Sequence, residues 1–388
     1  MNVRKVLSVV LVVFLFFPLL IPPAGTVSAA AAAPGISAEA AALIDVASGR
    51  ILYSKNGSKK MRIASLTKTM TAIVAIENGR MEEVVRVPKE AVGVEGSSIY
   101  LKEGEKLTLE ELLYGLMLRS GNDAAVAVAH HVGGSVPGFV YLMNEKAAML
   151  GMAHTHFTNP HGLDDSNMHY STAEDMAKLS AYALKNPLFR QIVSTKVKNI
   201  SWEGEAYDRR LQNKNKLLHL YQGADGVKTG YTKLAKRCLA SSATRDGRQL
   251  ATITLNAPDD WNDSMALMDW GFQQFSPVTL VKKGEAIETV QSPRGDVLKL
   301  AAMNDWVYPL RKGEDGQIRK EVILQEKRIT QELAGSHVGF LRITLGERVI
   351  GKVPITVQDD TPTMASKGEP RSFWQRIWEI MAGGMWSA

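Results

Sequence analysis

The chain has 388 residues, of which 45% are hydrophobic and 22% charged, enough apolar material for a sizeable core and too mixed for a disordered or polytopic membrane protein. A formal charge of +6 is modest for this length and is not the pattern of a nucleic-acid-binding protein, so no nucleic acid partner is expected. The single cysteine, Cys238, excludes an internal disulfide and a cysteine-based zinc site.

Residues 1–33 have the pattern of a secretory signal peptide. Arg4 and Lys5 form a basic start, an apolar run covers 6–21, and the Val-Ser-Ala stretch at 27–29 offers a cleavage site. Prolines and an alanine-rich stretch directly after the apolar run favour cleavage over an uncleaved anchor. We therefore expect an exported protein that is stabilised by packing rather than by disulfides.

Residues 34–276 are predicted to form one domain in which strands from both ends enclose a helical block. Short apolar runs predict strands at 41–45, 50–54, 227–232, 238–244 and 249–256. Helical spacing predicts helices at 66–76, 109–118, 123–131, 137–150, 175–185 and 265–275. Thr108 with Glu111 and Ser171 with Glu174 read as capping boxes. This pattern favours an α+β fold, an antiparallel sheet with a helical insert, over a doubly wound α/β sheet.

From residue 277 onward the chain consists of short β-rich stretches separated by turns that contain Gly and Asp. These stretches are 278–281, 286–290, 297–301, 319–324, 339–345 and 353–357. They predict a small all-β domain over 277–358, in which we find no catalytic constellation. A polar linker with Pro and Gly follows over 359–370.

Residues 371–388 are predicted to form an amphipathic helix. The large apolar side chains recur at helical spacing and share one face: Phe373, Trp374, Ile377, Trp378, Met381 and Met385. Charges in the middle of the segment argue against a membrane span. We expect an interfacial anchor that holds the protein on the outer face of the cytoplasmic membrane, although such a helix could also bind its own protein or a partner.

Three short motifs follow one another in the predicted domain at 34–276: Ser65-Leu-Thr-Lys68, Ser120-Gly-Asn122 and Lys228-Thr-Gly230. Each motif alone is a weak signal, because a serine that opens a helix is usually only a cap. Here the first motif opens a helix, the second lies between two helices and the third lies on a strand. Their joint occurrence in this order indicates a nucleophilic serine site.

The spacing within the motifs supports this chemistry. Ser65 and Lys68 are three residues apart on a helix and share one face, so the amine can reach the hydroxyl. Partial desolvation and the nearby cation of Lys228 would lower the pKa of Lys68 and let it act as a base. Gly230 leaves room for a substrate backbone at the strand edge, and the N–H groups of Ser65 and Tyr231 would form an oxyanion hole.

The set S-x-x-K, S-x-N and K-T-G resembles the signature of penicillin-binding proteins and serine β-lactamases. From export signal to amphipathic end, nearly the whole chain is similar to a low-molecular-mass penicillin-binding protein, a serine-type D-alanyl-D-alanine carboxypeptidase. The stretches 157–163 and 225–232 are similar to sequences that flank the site in that family. Among its members, the chain most resembles the enzymes of Gram-positive spore formers.

The resemblance implies the transpeptidase fold of that family and an acyl transfer to Ser65. The nucleophile Ser65 would attack the penultimate D-alanine carbonyl of a peptidoglycan stem peptide, Lys68 would be the general base, and Ser120 would relay the proton. Penicillins and other β-lactams would inhibit by acylating the same serine. No metal or cofactor is implied.

The resemblance also implies a set of substrate-binding residues. They are Asn122, Lys228, Thr229, Gly230, Tyr231 and Thr232. Some relatives use an arginine near the substrate carboxylate, and residues 256–261, where we looked for it, contain none.

Three alternatives stay open at this point. A serine β-lactamase would need a glutamate to activate the deacylating water, and the corresponding region at 159–163 has none. A catalytically silent penicillin-binding wall protein is disfavoured because no motif position is damaged. A metal hydrolase could use His154, His156 and His161, but no carboxylate motif of known zinc spacing accompanies them.

Overall fold

The computed structural model describes residues 32–358 of the chain. The predicted signal peptide up to residue 31, the linker at 359–370 and the amphipathic segment at 371–388 lie outside the described residues. Within 32–358, no single helix is both long and apolar enough to cross a membrane. The helices Asn122–Gly133 and Val136–Met149 reach that length and apolarity only as a pair bent by 84°.

The central sheet is built from the two ends of the first domain. It contains β1 (Ala40–Asp45), β2 (Ile51–Lys55), β7 (Ala224–Thr232), β8 (Lys236–Arg245) and β9 (Arg248–Leu255). The strand order is β2-β1-β9-β8-β7, and every neighbouring pair is antiparallel. Strand β1 is buried along its whole length, and its alanines let helices approach the sheet closely. The predicted antiparallel sheet with a helical insert is confirmed.

Helices fill the chain between β2 and β7 and cover the sheet. They are α1 (Lys68–Asn78), α2 (Leu109–Leu118), α3 (Asn122–Gly133), α4 (Val136–Met149), α5 (Ala173–Ala183), α6 (Pro187–Ser194) and α7 (Leu217–Leu220), followed after β9 by α8 (Asp260–Gln274). Two small two-stranded antiparallel sheets complete the domain: β3 (Val84–Arg86) with β4 (Lys106–Thr108), and β5 (Val197–Ile200) with β6 (Arg209–Gln212). Leu66, Ile73 and Phe139 are fully buried in the core between these layers.

One predicted capping box is confirmed and the other is wrong. At the start of α2, Thr108 accepts a hydrogen bond from the Glu111 N–H, and the Glu111 carboxylate accepts one from the Thr108 N–H. Helix α5 is capped by Thr172 rather than Ser171. Ser171 forms a β-bridge with Met61, which keeps it extended and moves the helix start one residue further.

The C-terminal part is all-β, as predicted. Strand β10 (Phe275–Val281) pairs with β13 (Trp306–Arg311), and a second sheet has the order β11-β12-β16-β15-β14. Its strands are β11 (Ala286–Gln291), β12 (Val297–Ala302), β14 (Ile318–Leu324), β15 (Gly339–Leu345) and β16 (Arg348–Val357). The sequence analysis missed β13, whose Pro309 disfavours a central strand; the two-stranded sheet tolerates it because each strand keeps a free edge.

The two parts of the chain are joined at Arg50, beside the β1–β2 turn. Its guanidinium forms a bidentate ion pair with Glu314 at 2.6 and 2.8 Å and donates to the Pro309 carbonyl. The same guanidinium lies over the rings of Phe275 and Tyr308, 5.1 and 5.2 Å from their centroids. Arg50 is nearly buried, so these contacts hold the first sheet and the β-rich part together.

Candidate active site

The three motifs meet in one cleft between the helical insert and strand β7. The cleft has a volume of about 370 Å³. Its lining residues are Ser65, Ser97, Ser120, Lys214, Thr229, Gly230, Tyr231, Arg237, Asp260 and Trp261. Residues that are more than a hundred positions apart in sequence therefore face the same space.

Ser65 lies in a 3₁₀ turn, Ala64–Thr67, that leads directly into α1. The Lys68 Nζ is 3.1 Å from the Ser65 Oγ, as the three-residue spacing predicts. Ala64 has φ +47°, a left-handed conformation that is unfavourable for a residue with a Cβ. Gly162 packs on this turn, and a Cβ at that position would lie 1.9 Å from the Ala64 carbonyl oxygen. The loop at 157–169 thus closes tightly on the turn that carries Ser65.

The amine of Lys68 is completely buried. Besides Ser65, its neighbours are the Asn122 Oδ1 at 2.6 Å and the His161 carbonyl oxygen at 2.9 Å. Burial lowers the pKa of Lys68 well below its ordinary value, and the positive charges of Lys228 and Lys214 lower it further. An amine in this position loses its proton far more easily than one in water and can accept the proton of the Ser65 hydroxyl.

The second motif occupies the break between α2 and α3. Ser120 has φ +63° and lines the cleft, and Asn122 begins α3. The Asn122 side chain uses its oxygen for Lys68, while its amide nitrogen donates to the Glu95 carbonyl. Asn122 is therefore held from both ends and fixes the position of the Lys68 amine.

The third motif lies on β7, the edge strand of the central sheet. Lys228 is buried, its Nζ donates to the Thr229 carbonyl at 2.9 Å, and burial together with the charge of Lys214 lowers the pKa of Lys228 to about 7. A Cβ at Gly230 would lie 3.2 Å from the Ser65 nitrogen, so glycine lets this strand approach the turn that carries Ser65. Tyr231 is exposed at the cleft.

Thr232 is placed differently from the other residues of this motif. Its hydroxyl accepts a hydrogen bond from the Ala235 N–H in the turn between β7 and β8. Thr229, Gly230 and Tyr231 line the cleft directly. The Thr232 hydroxyl keeps its own proton free to donate, so Thr232 stays a predicted substrate-binding residue.

The sequence analysis did not assign five residues of the cleft: Ser97, Lys214, Arg237, Asp260 and Trp261. Lys214 reaches in from the segment after β6 and donates to the Ser97 hydroxyl at 2.9 Å. Arg237 stands opposite Tyr231 in the β7–β8 register and forms an ion pair with Asp260 at the start of α8, beside Trp261. Arg237 thus places a guanidinium in the cleft, although residues 256–261 contain no arginine. One sequence feature could have pointed to Arg237. It lies in the short connection between the predicted strands at 227–232 and 238–244, which brings it back beside the third motif.

Two buried histidines hold the loop at 157–169 against α1. Burial and the nearby Lys68 and His169 lower the pKa of His161 to about 3. Burial, with His156 and Arg62 nearby, lowers the pKa of His169 to about 4, against a smaller opposing effect of Asp164. Both imidazoles are therefore neutral near pH 7. Within residues 32–358, no group of three or more His, Cys, Asp or Glu side chains is arranged to hold a metal ion.

Cys238 is a core residue of β8. It is fully buried, and burial raises the pKa of its thiol to about 12. A thiol with so high a pKa is not a nucleophile near neutral pH.

These two histidines predict an acid-sensitive fold. The unfolded chain binds protons at His161 and His169 near pH 6.5, whereas the folded protein resists protonation until about pH 4. Stability is therefore highest above pH 6.5 and falls as the pH drops from 6.5 toward 4, by on the order of 2 kcal/mol per histidine at pH 5. Urea unfolding at pH 7 and pH 5 measures the loss.

The control is an exposed histidine. His169→Gln should remove about half of the difference between the two pH values, since it deletes one of the two groups, and His219→Gln should leave it unchanged. An equal pH dependence in both variants would contradict the assignment.

Comparison with known families and proteins covers most of the chain. Residues 27–259 match the family model described as D-alanyl-D-alanine carboxypeptidase. Residues 275–363 match the model described as penicillin-binding protein 5, C-terminal domain.

Individual proteins of known family are similar to this chain over most of its length. The chain is 33% identical to the D-alanyl-D-alanine carboxypeptidase DacF of Bacillus subtilis, over 83% of this chain and 85% of DacF. It is 32% identical to DacC of Escherichia coli, over 95% of this chain and 92% of DacC. Among solved structures, penicillin-binding protein 5 of Haemophilus influenzae superimposes with a TM-score of 0.71 at 29% identity, over 85% of this chain and 99% of that one.

Proposed function

The chain belongs to the D-alanyl-D-alanine carboxypeptidase family, and we propose that it removes the terminal D-alanine from peptidoglycan stem peptides through an acyl-enzyme on Ser65. The observation that carries this proposal is the contact of 3.1 Å between the buried Lys68 Nζ and the Ser65 Oγ, in a cleft shared with Ser120 and Gly230. By trimming stem peptides, the enzyme would control how many of them can be cross-linked.

Acylation begins with the proton of Ser65. The neutral amine of Lys68 takes this proton while the Ser65 oxygen attacks the carbonyl carbon of the penultimate D-alanine. The oxyanion that forms accepts hydrogen bonds from the N–H groups of Ser65 and Tyr231, which flank the cleft from two different elements. Ser120 passes a proton to the nitrogen of the departing D-alanine, and the carbon–nitrogen bond breaks. Water then hydrolyses the ester and restores Ser65.

The substrate would lie along β7. This strand is the last of its sheet, so its free edge can pair with an extended peptide. The terminal carboxylate would bind to Thr229 and to the guanidinium of Arg237, which both line the cleft, and would be attracted by the nearby Lys228 on the same strand. Penicillins present an equivalent carboxylate beside a strained amide, which explains how they would acylate the same serine.

A serine β-lactamase is the less favoured function for this site. That activity needs a group that activates water against the acyl-enzyme. In this chain the loop that reaches Lys68 presents the backbone carbonyl of His161, and the side chain of His161 is buried and neutral. We expect the penicillin adduct to be long-lived.

Export and membrane attachment belong to the same proposal. The substrate lies outside the cell, which agrees with the signal-peptide pattern at 1–33. The amphipathic segment at 371–388 would hold the enzyme on the outer face of the cytoplasmic membrane, with tryptophans at the level of the headgroups and arginines facing anionic lipid.

Replacing the nucleophile tests the proposed reaction directly. Ser65→Ala should abolish the release of D-alanine from diacetyl-lysyl-D-alanyl-D-alanine and the covalent labelling by fluorescent penicillin, because Ser65 carries the hydroxyl that the Lys68 amine contacts. An exposed serine in β10, replaced in Ser276→Ala, is the matched control and should react as the unaltered protein does. Release of D-alanine by Ser65→Ala would refute the proposed nucleophile.

Arg237 is expected to bind the substrate carboxylate. Arg237→Gln should raise the KM for the peptide roughly tenfold or more, because a charge-assisted hydrogen bond contributes about 1.5–3 kcal/mol. Lys233→Gln removes the same charge from an exposed position in the β7–β8 turn and should change the KM little. Steady-state kinetics with the peptide, and with its C-terminal amide, compare the two variants. An unchanged preference for the free carboxylate in Arg237→Gln would contradict this role.

Membrane attachment is tested with residues 371–388 deleted. The shortened protein should no longer sediment with vesicles of anionic phospholipid, while hydrolysis of the soluble peptide should be unchanged. Trp374→Ser combined with Trp378→Ser should weaken sedimentation in the same direction, and Gln375→Ser, on the opposite face, should not. Loss of hydrolysis on deletion would argue against a simple anchor.

A further inference from the structure

The peptide unit between Ala64 and Ser65 contains both the Ala64 carbonyl and the Ser65 N–H. A peptide unit is planar, so the direction of its carbonyl oxygen fixes the direction of its N–H group. The Ser65 N–H lies in the first turn of a helix, where N–H groups lack a helical partner. With φ +47°, Ala64 is in a conformation that persists only where surrounding contacts hold it.

Thr67 and His169 supply such contacts. The Thr67 Oγ1 is 2.9 Å from the Ala64 carbonyl oxygen and 2.8 Å from the His169 Nε2. Thr67 is fully buried, and only 3% of His169 is exposed. The two residues are therefore linked out of reach of solvent, directly beneath the turn that carries the nucleophile.

The donor and the acceptor can be assigned in each hydrogen bond that links Thr158, His169, Thr67 and Ala64. The Thr158 N–H can only donate, and it lies 3.1 Å from the His169 Nδ1, so Nδ1 is the acceptor. A neutral His169 then carries its proton on Nε2 and donates it to the Thr67 Oγ1. The Thr67 hydroxyl proton is left to donate to the Ala64 carbonyl. The three hydrogen bonds therefore run in one direction, from the Thr158 N–H through His169 and Thr67 to the Ala64 oxygen.

We propose that Thr67 and His169 are positioning residues that aim the Ser65 N–H into the oxyanion hole; this rests on the acyl-transfer function proposed above. The Thr67 hydroxyl pulls the Ala64 oxygen toward α1, and the planar peptide turns the Ser65 N–H toward the cleft and β7. A hydrogen bond to the carbonyl also polarises the same peptide, which strengthens its N–H as a donor. Neither side chain touches the substrate.

A purely structural role is the competing explanation. A threonine that bonds a carbonyl three residues earlier is common and can simply secure a helix start. A structural role would change the amount of folded protein and its melting temperature. A role in aiming the N–H would slow the acylation step and leave the KM for the peptide nearly unchanged, because the oxyanion forms only after the substrate binds.

Thr67→Val removes the hydroxyl and keeps the shape of the side chain. We expect the acylation rate constant with fluorescent penicillin and the kcat for the peptide to fall about 10- to 100-fold, with the KM within about twofold. Thr67→Ser retains an Oγ and should restore most of the loss. Thr69→Val, two residues further along the chain, is the control. Thr69 is also buried, and its hydroxyl has no hydrogen-bond partner among residues 32–358.

A second pair of variants tests the histidine and does not depend on whether Thr67→Val folds. The amide nitrogen of His169→Gln can occupy the place of Nε2 and donate to Thr67, whereas His169→Asn reaches only the position of Nδ1. Acylation should therefore be faster in His169→Gln than in His169→Asn, by about tenfold. The affinity of a tetrahedral boronic acid analogue should follow the same order.

The acylation rates of the Thr67, Thr69 and His169 variants are compared with those of the unaltered protein and of Ser65→Ala. If the unaltered protein does not acylate, the proposed function fails and not only this inference. If it acylates, two results would overturn the inference. One is a Thr67→Val acylation rate within twofold of that of Thr69→Val; the other is a His169→Asn rate equal to or above that of His169→Gln.

Discussion

The burial of one amine, that of Lys68, is the constraint on which the rest of the site depends. An ammonium ion without solvent is costly, so burial favours the uncharged amine, which is the form that the proposed acyl transfer requires. The acceptors around the amine come from different places: an amide oxygen from the start of α3 and a backbone carbonyl from the loop at 157–169. The fold therefore has to bring a helix end, a loop and α1 together before the Lys68 amine is held against the Ser65 hydroxyl.

Local sequence patterns predicted what depends on local geometry. The three-residue spacing of Ser65 and Lys68 predicted a contact that the structure contains, and Thr108 with Glu111 predicted a helix start. Lys214 and Arg237 carried no comparable signal, because their place in the cleft results from pairings between β7 and β8 and from the packing of the segment after β6. Ser171 shows that a local pattern can also mislead. Its sequence predicted a helix cap, but a β-bridge with the distant Met61 keeps it extended.

The turn that carries Ser65 has little local preference for its own conformation. Ala64 is left-handed without being glycine, and the residues that hold it, Gly162 and His169, follow about a hundred positions later in the chain. Strand β7 closes the other side at Gly230, which arrives later still. Such a site forms only when the whole domain has folded, which is typical of catalytic groups held by long-range packing rather than by propensity.

The ion pair of Arg50 with Glu314 has a mechanical consequence. Because one nearly buried guanidinium clamps a carboxylate, a carbonyl and two rings from the β-rich part, the two parts should tilt and travel together rather than hinge. The distance from the cleft to the far end of the β-rich part is then nearly constant. Under the proposed function, an enzyme attached to the membrane at that end would reach only stem peptides at one distance from the membrane.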